Sequence, residues 1–247
     1  MLSFGKKFKV SYSYPMGHPV KVVIERYGRQ GLLGWLYQKY ASQIKPGQIL
    51  ISERIVELSL VHQWFGKIFD VPKGEVLEIG HVASTVSLEL ASLGFQVTGI
   101  DLRQYPFQHT NLQSVSDDFL SYEFNKKFDC IYSLSTIEHF GFNKRYGVDD
   151  HATNSLDEQA FSKIAKLLKS NGHAIISVPY TKIDAPSEWF RIYTRNDLEK
   201  KLEKSFLIDE KRFYSRKNNV WTPVLDPSDD PVSAQDGVAL FLLSSKV

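Results

Sequence analysis

The sequence predicts an α/β fold, a mostly parallel sheet with helices on both faces, and three observations predict it. From Glu75 onward, strand-length apolar runs alternate with stretches of helical spacing. Those runs are apolar nearly throughout rather than at every second residue, which requires that both faces of each strand be covered. A glycine and an aspartate, Gly80 and Asp101, stand just past the first two runs, where open parallel sheets bind their ligands. A chain of 247 residues, 43% hydrophobic and 13% aromatic, has enough apolar surface for one large core.

Residues 1 to about 50 carry turn signals at Pro15, Gly17, Pro19, Gly31, Gly34 and Pro46-Gly47. Helical spacing begins at Ser52, an N-cap residue, and runs to Phe69 on the stripe Ile55, Leu58, Val61, Phe65 and Ile68. The breaker Val71-Pro72-Lys73-Gly74 separates this helix from the rest. We therefore expect an extension with a lid helix over residues 1–70 and a principal domain over 71–247.

In that domain Glu75 to Gly80 reads as a buried strand, Ser84 to Leu93 as a helix closed by Gly94, and Phe95 to Asp101 as a second strand. A weaker strand, Leu112 to Val115, precedes a strong one from Phe128 to Leu134. Ser155 and Glu158 have capping-box spacing for a helix to Lys169, which Asn171-Gly172 should stop. The strand His173 to Val178 follows, then a helix capped by Thr194, then strands at Leu207 to Tyr214 and Val238 to Ser244.

Lys and Arg number 30 against 28 Asp and Glu, a net charge of +2, so no global field draws the chain to nucleic acid or to an anionic membrane. The single cysteine, Cys130, lies in an apolar run and has no partner for an internal disulfide. No apolar run of spanning length or signal-like segment is present, and the chain reads as cytoplasmic, with no membrane partner.

The chemistry sits after the strands. Glu78-Ile79-Gly80-His81-Val82-Ala83-Ser84 supplies a glycine where the chain turns and a helix N-terminus beyond it; Asp101 supplies a carboxylate for ribose hydroxyls. On these residues the chain resembles class I S-adenosylmethionine-dependent methyltransferases, in a variant whose later loop glycines are replaced by Val82 and Ser84. The resemblance implies a Rossmann-like, seven-stranded sheet with the last strand antiparallel, and S-adenosyl-L-methionine as cofactor. It also implies cofactor contacts from Glu78, Gly80, His81, Asp101, Leu102, Asp118, Phe119, Ser133 and Ser135. The segment Ser133-Leu134-Ser135-Thr136-Ile137-Glu138-His139-Phe140 resembles the family's motif beside the methyl group, with His139 facing the acceptor.

Methyl transfer needs mainly alignment, because the sulfonium methyl is already electrophilic. An oxygen acceptor must also lose a proton, which suits a histidine or a histidine–carboxylate pair. His139 is the first candidate base, with Glu138, His151 and Tyr180 behind it. Tyr12, Tyr14, Trp189 and Tyr193 are candidate lid residues, and no metal is expected from Asp149-Asp150-His151.

The expected function is methyl transfer to a small-molecule acceptor, such as the hydroxyl of a sugar or polysaccharide precursor. Two alternatives are a catalytically silent binding protein on the same fold, suggested by the altered glycine loop, and an RNA methyltransferase. The latter would use a basic aromatic surface of Arg191, Arg195, Lys211, Arg212, Arg216 and Lys217. A nicotinamide-dependent oxidoreductase is disfavoured, since no G-x-G-x-x-G follows the first strand. The sequence leaves open whether the chain is a monomer or a homodimer.

Overall fold

The computed structural model describes residues 51–142, 155–183, 187 and 189–246. The chain divides into two compact units, Met1–Ile51 and Ser52–Val247, and the second is described below.

Its elements are helix α1 (Arg54–Ile68), strand β1 (Glu75–Ile79), helix α2 (Val86–Leu93), then strands β2 (Gln96–Asp101), β3 (Leu112–Ser116) and β4 (Phe128–Leu134). Helix α3 (Leu156–Leu167), strands β5 (Leu168–Thr181) and β6 (Tyr193–Thr194), and helix α4 (Arg195–Glu203) follow. Strands β7 (Phe206–Lys217), β8 (Val220–Pro223) and β9 (Gly237–Ser245) complete the unit. The sheet order is β3-β2-β1-β4-β5-β9-β7-β8, with β6 paired to the end of β5. Strands β1 to β5 are mutually parallel along this path, whereas β9 is antiparallel to both β5 and β7. The seven expected strands are all present. The hairpin strand β8 and the two-residue β6 are additions.

Period-two alternation sends successive side chains of each strand to opposite faces. Leu77, Ile79, Ile131, Ile176 and Phe241 pack on one face with Phe161 and Ile164 of α3 and Leu198 and Leu202 of α4. Val76, Cys130, Tyr132, Ile175 and Leu240 pack on the other with Val61 and Trp64 of α1 and Val86 and Leu90 of α2. Full burial of side chains of this size contributes about 1.5–3 kcal/mol each, which is why these strands are apolar on both faces.

Thr194 caps α4 as expected, its hydroxyl accepting the Asp197 N–H at 3.2 Å. Three local expectations are corrected. The buried stripe of α1 is Glu57, Leu60, Val61, Trp64 and Phe65, while Ile55 is 58% exposed. Apolar residues occur all round this helix, and the stripe carrying Trp64 buries the larger surface. The capping box does not form, because Glu158 is drawn to Lys204 at 2.7 Å instead. Helix α3 ends at Leu167, and Asn171-Gly172 lies inside β5, opposite an irregular register at Phe128/Cys130.

Candidate active site

Strand β1 pairs with β2 on one side and β4 on the other, so the order in which strands are added to the sheet reverses between β1 and β4. A crevice at the carboxyl ends of these strands is the expected ligand site. Gly80 opens it with φ +84 and ψ 37, the left-handed region. A Cβ at Gly80 would lie 2.2 Å from Thr136 Oγ1, so only glycine fits where the loops after β1 and β4 meet.

Asp101 ends β2 and is 9% exposed. Its Oδ1 accepts from the Arg103 backbone N–H at 3.0 Å and from Arg103 Nε at 2.9 Å. Its Oδ2 accepts from Arg103 Nη2 at 3.0 Å and from the Val82 N–H at 3.2 Å. The carboxylate thus ties the first loop to the second. Ser84 does not compete for it, since its hydroxyl accepts the Val86 N–H at 3.0 Å and so serves the start of α2. Leu102, 39% exposed, flanks Asp101 on the solvent side.

His81 is fully buried, stacked on Tyr105 at 4.4 Å, and neither ring nitrogen has a hydrogen-bond partner among the described residues. A Cβ on Gly99 would come within 2.2 Å of His81 Nδ1, so the imidazole lies over that glycine. Burial, opposed by the pull of Asp101 and helped by Arg103, lowers its pKa from 6.5 to about 4. At neutral pH the ring is uncharged.

Glu78 lies below the crevice, 1% exposed, where it accepts from the Ser87 hydroxyl and backbone N–H and from Tyr132 Oη at 2.7 Å. Burial raises its pKa against the hydroxyls of Ser87, Tyr132 and Ser84. It joins β1, β4 and the first turn of α2. Phe119 also sits in the core, 4% exposed beside Phe124 and Phe140. Asp118 accepts the Ser121 N–H at 3.0 Å in the turn after β3, and the neighbouring Asp117 N–H bonds the Asp101 carbonyl at 3.0 Å.

On the other side of the crevice, Ser133 ends the β1–β4 pairing, fully buried, with its Oγ unpartnered among the described residues. Ser135 has φ +43, and its N–H donates to Ser177 Oγ at 3.0 Å. Glu57 of α1 accepts from the hydroxyls of both Ser135 and Ser177 at 2.6 Å and pairs with Arg54 at 3.1 Å. Glu138 is 2% exposed, and its Oε2 has no partner among the described residues. Burial raises its pKa well above 4.5, with Glu57 adding to the rise.

His139 Nδ1 lies 3.1 Å from the Trp189 carbonyl, and its Nε2 lies 3.8 Å from Glu138 Oε1. A carbonyl only accepts, so in the neutral ring the proton is on Nδ1 and the lone pair on Nε2. The Arg191 N–H bonds the Glu138 carbonyl at 2.7 Å, which fastens the segment after β5 to this motif.

Gly80, His81, Asp101 and Leu102 are thus together at the ends of β1 and β2, and Ser133, Ser135, Glu138 and His139 at the end of β4; Glu78 and Phe119 are in the core. Arg103, Thr136 and Glu57 were missed. Glu57 was legible as an acid at helical spacing from Val61 and Trp64, and Arg103 as a cation two residues past a strand-ending aspartate.

Other expectations are corrected. Tyr193 is no lid residue, being fully buried with its hydroxyl 3.2 Å from Asp157. Tyr180 is buried and donates to Asp230 at 3.2 Å, and burial raises its pKa beyond use as a base. Lys201 of α4 also pairs with buried Asp157, at 3.0 Å. The proposed basic surface is largely neutralised: Arg191 pairs with Asp157, Arg195 with Asp230, Lys211 with Glu199, Arg212 with Glu210 and Arg216 with Asp236. Trp189 is 60% exposed. Tyr12, Tyr14 and Asp149 to His151 lie outside the described residues. Among the described residues no helix is long and apolar enough to cross a membrane.

Comparison with known proteins agrees with this geometry. A family profile described as a methyltransferase domain matches residues 51–211. A ubiquinone biosynthesis O-methyltransferase of Rickettsia akari (strain Hartford) is 30% identical over 170 residues, 56% of this chain; the match spans 63% of that relative's length. The 1,6-didemethyltoxoflavin-N1-methyltransferase of Burkholderia thailandensis, solved with 1,6-didemethyltoxoflavin and S-adenosylhomocysteine, superposes with a TM-score of 0.54 at 16% identity over 76% of each chain. The N-methyltransferase NodS of Bradyrhizobium japonicum WM9 does so at 0.53 and 14%, over 79% of this chain and 99% of its own. Likeness at these identities establishes the fold. With the profile covering most of its length, the chain belongs to the methyltransferase-domain family, within the class I S-adenosylmethionine-dependent methyltransferase superfamily.

Proposed function

We propose that this protein transfers a methyl group from S-adenosylmethionine to a hydroxyl oxygen of a small-molecule acceptor, with His139 as the base. The observation that carries the reading is the pairing across one crevice of a left-handed glycine turn beside a strand-ending carboxylate with a histidine whose Nε2 bears the lone pair.

The residues fit the cofactor. Gly80 lets the main chain approach closely, Asp101 offers acceptor oxygens at the end of β2, and Leu102 is an exposed apolar flank for a base. Ser133 and Ser135 stand beside the methionine part in this reading. When bound, S-adenosylmethionine supplies an electrophilic methyl carbon. The chain's own work is to hold the acceptor oxygen in line and to take its proton on His139 Nε2. Burial raises the Glu138 pKa well above 4.5, which favours its uncharged form beside the His139 ring.

The O-methyltransferase relative supports an oxygen acceptor, and a sugar or polysaccharide-precursor hydroxyl remains the proposed class. Calorimetry with S-adenosylhomocysteine, followed by transfer of labelled methyl to panels of phenolic and sugar hydroxyls, tests the reading. We expect saturable heat and label on oxygen. No heat at millimolar ligand would overturn the reading, and label only on nitrogen would overturn the acceptor class.

A further inference from the structure

Asp101 is fully subscribed. A carboxylate offers about four acceptor positions, and four N–H donors reach this one: the backbone N–H groups of Val82 and Arg103, and Nε and Nη2 of the Arg103 side chain. The two backbone donors are fixed by the loops that carry them. The two side-chain donors form a fork, one nitrogen on each oxygen, and so present the same hydrogen-bond pattern as the adjacent hydroxyls of a ribose. A sugar diol and the Arg103 fork therefore cannot both hold Asp101.

We propose that Arg103 is a reversible latch on the cofactor site, whose guanidinium must leave Asp101 before a nucleoside diol can bind there. This rests on the nucleoside-binding reading of Asp101. The latch can move without its backbone. The loop after β2 is held independently, by Ser116 Oγ on the Arg103 carbonyl at 3.4 Å and by Tyr105 Oη on the Ser84 carbonyl at 3.1 Å. The Arg103 side chain is 37% exposed while that of Asp101 is 6% exposed, so the cation withdraws toward solvent and the carboxylate stays in place. A pair exposed to this degree is partly screened, which makes the latch weak enough to open and its effect on affinity modest.

The test is calorimetry on wild type, Arg103→Gln and Arg103→Lys with two probes, S-adenosylhomocysteine and its 2′,3′-dideoxy analogue, together with thermal melts of each protein. Arg103→Gln should bind S-adenosylhomocysteine roughly three- to tenfold more tightly, with Arg103→Lys in between, since an ammonium cannot form the fork. The dideoxy analogue, which does not ask for the carboxylate, should bind all three proteins alike. Equal or weaker S-adenosylhomocysteine binding by Arg103→Gln would overturn the latch while leaving the cofactor reading intact, as would equal tightening for both probes. Absence of binding to every protein, with melts showing them folded, would overturn both.

Discussion

Asp101 ends β2 and Glu138 follows β4; the two carboxyl groups are 9% and 2% exposed, and the chain treats them in opposite ways. Asp101 is surrounded by N–H donors, two of them from the main chain. Glu138 has an oxygen with no donor among the described residues, sits near Glu57, and holds its proton well above the usual carboxylate range. Burial alone does not decide what an acid does; the donors supplied with it do. The β2 side surrounds its acid with N–H donors, and the β4 side leaves its acid an oxygen without one among the described residues.

The comparison can be broken most severely at His139. If the β4 side is the reactive one, His139→Ala should lower kcat by roughly 100- to 10,000-fold and leave S-adenosylhomocysteine affinity within about twofold of wild type. An equal loss of both in calorimetry and turnover would assign the residue to binding instead. Gly80→Ala should act on the opposite side and on stability. The left-handed backbone and the approach to Thr136 together cost about 2–5 kcal/mol, read by denaturant melts. Adding Thr136→Ala should return only the steric part.

The smallest expected effect is also the most specific. A carboxyl whose folded pKa is raised contributes stability that is fully present below its unfolded value, near 4.5, and is lost as pH rises toward the folded pKa. Glu138→Gln keeps the shape without the titration, so its melting temperature should exceed that of wild type at pH 8, with the gap closing toward pH 4.5. A gap that widens on acidification would show that Glu138 is folded as an anion.

Much of this was legible in the sequence, for reasons that can be named. Strands buried on both faces announce themselves as unbroken apolar runs, and the places of Gly80 and Asp101 at the ends of β1 and β2 follow from those runs. Thr194 was found because capping is local, read within three residues of its partner. What stayed hidden depends on distant partners. Glu158 has capping-box spacing yet answers to Lys204 on α4. The Asn171-Gly172 turn signal is spent inside β5, where strand pairing overrides it. Tyr193 looked like a lid because nothing near it in sequence reveals the buried Asp157 it meets. Ser84 stands where the family has a loop glycine, and its hydroxyl is taken up by the Val86 N–H at the start of α2.

Gly99 and His81 share a single volume: the methyl that any other residue would bring to position 99 lands on the imidazole of position 81. Neither site can drift by itself. An alanine at 99 demands a small side chain at 81, and a histidine at 81 demands bare backbone at 99, so descent through this family should change the two in step. The space that the His81 ring takes up beside the first strand's loop is thus recovered from the middle of the second strand.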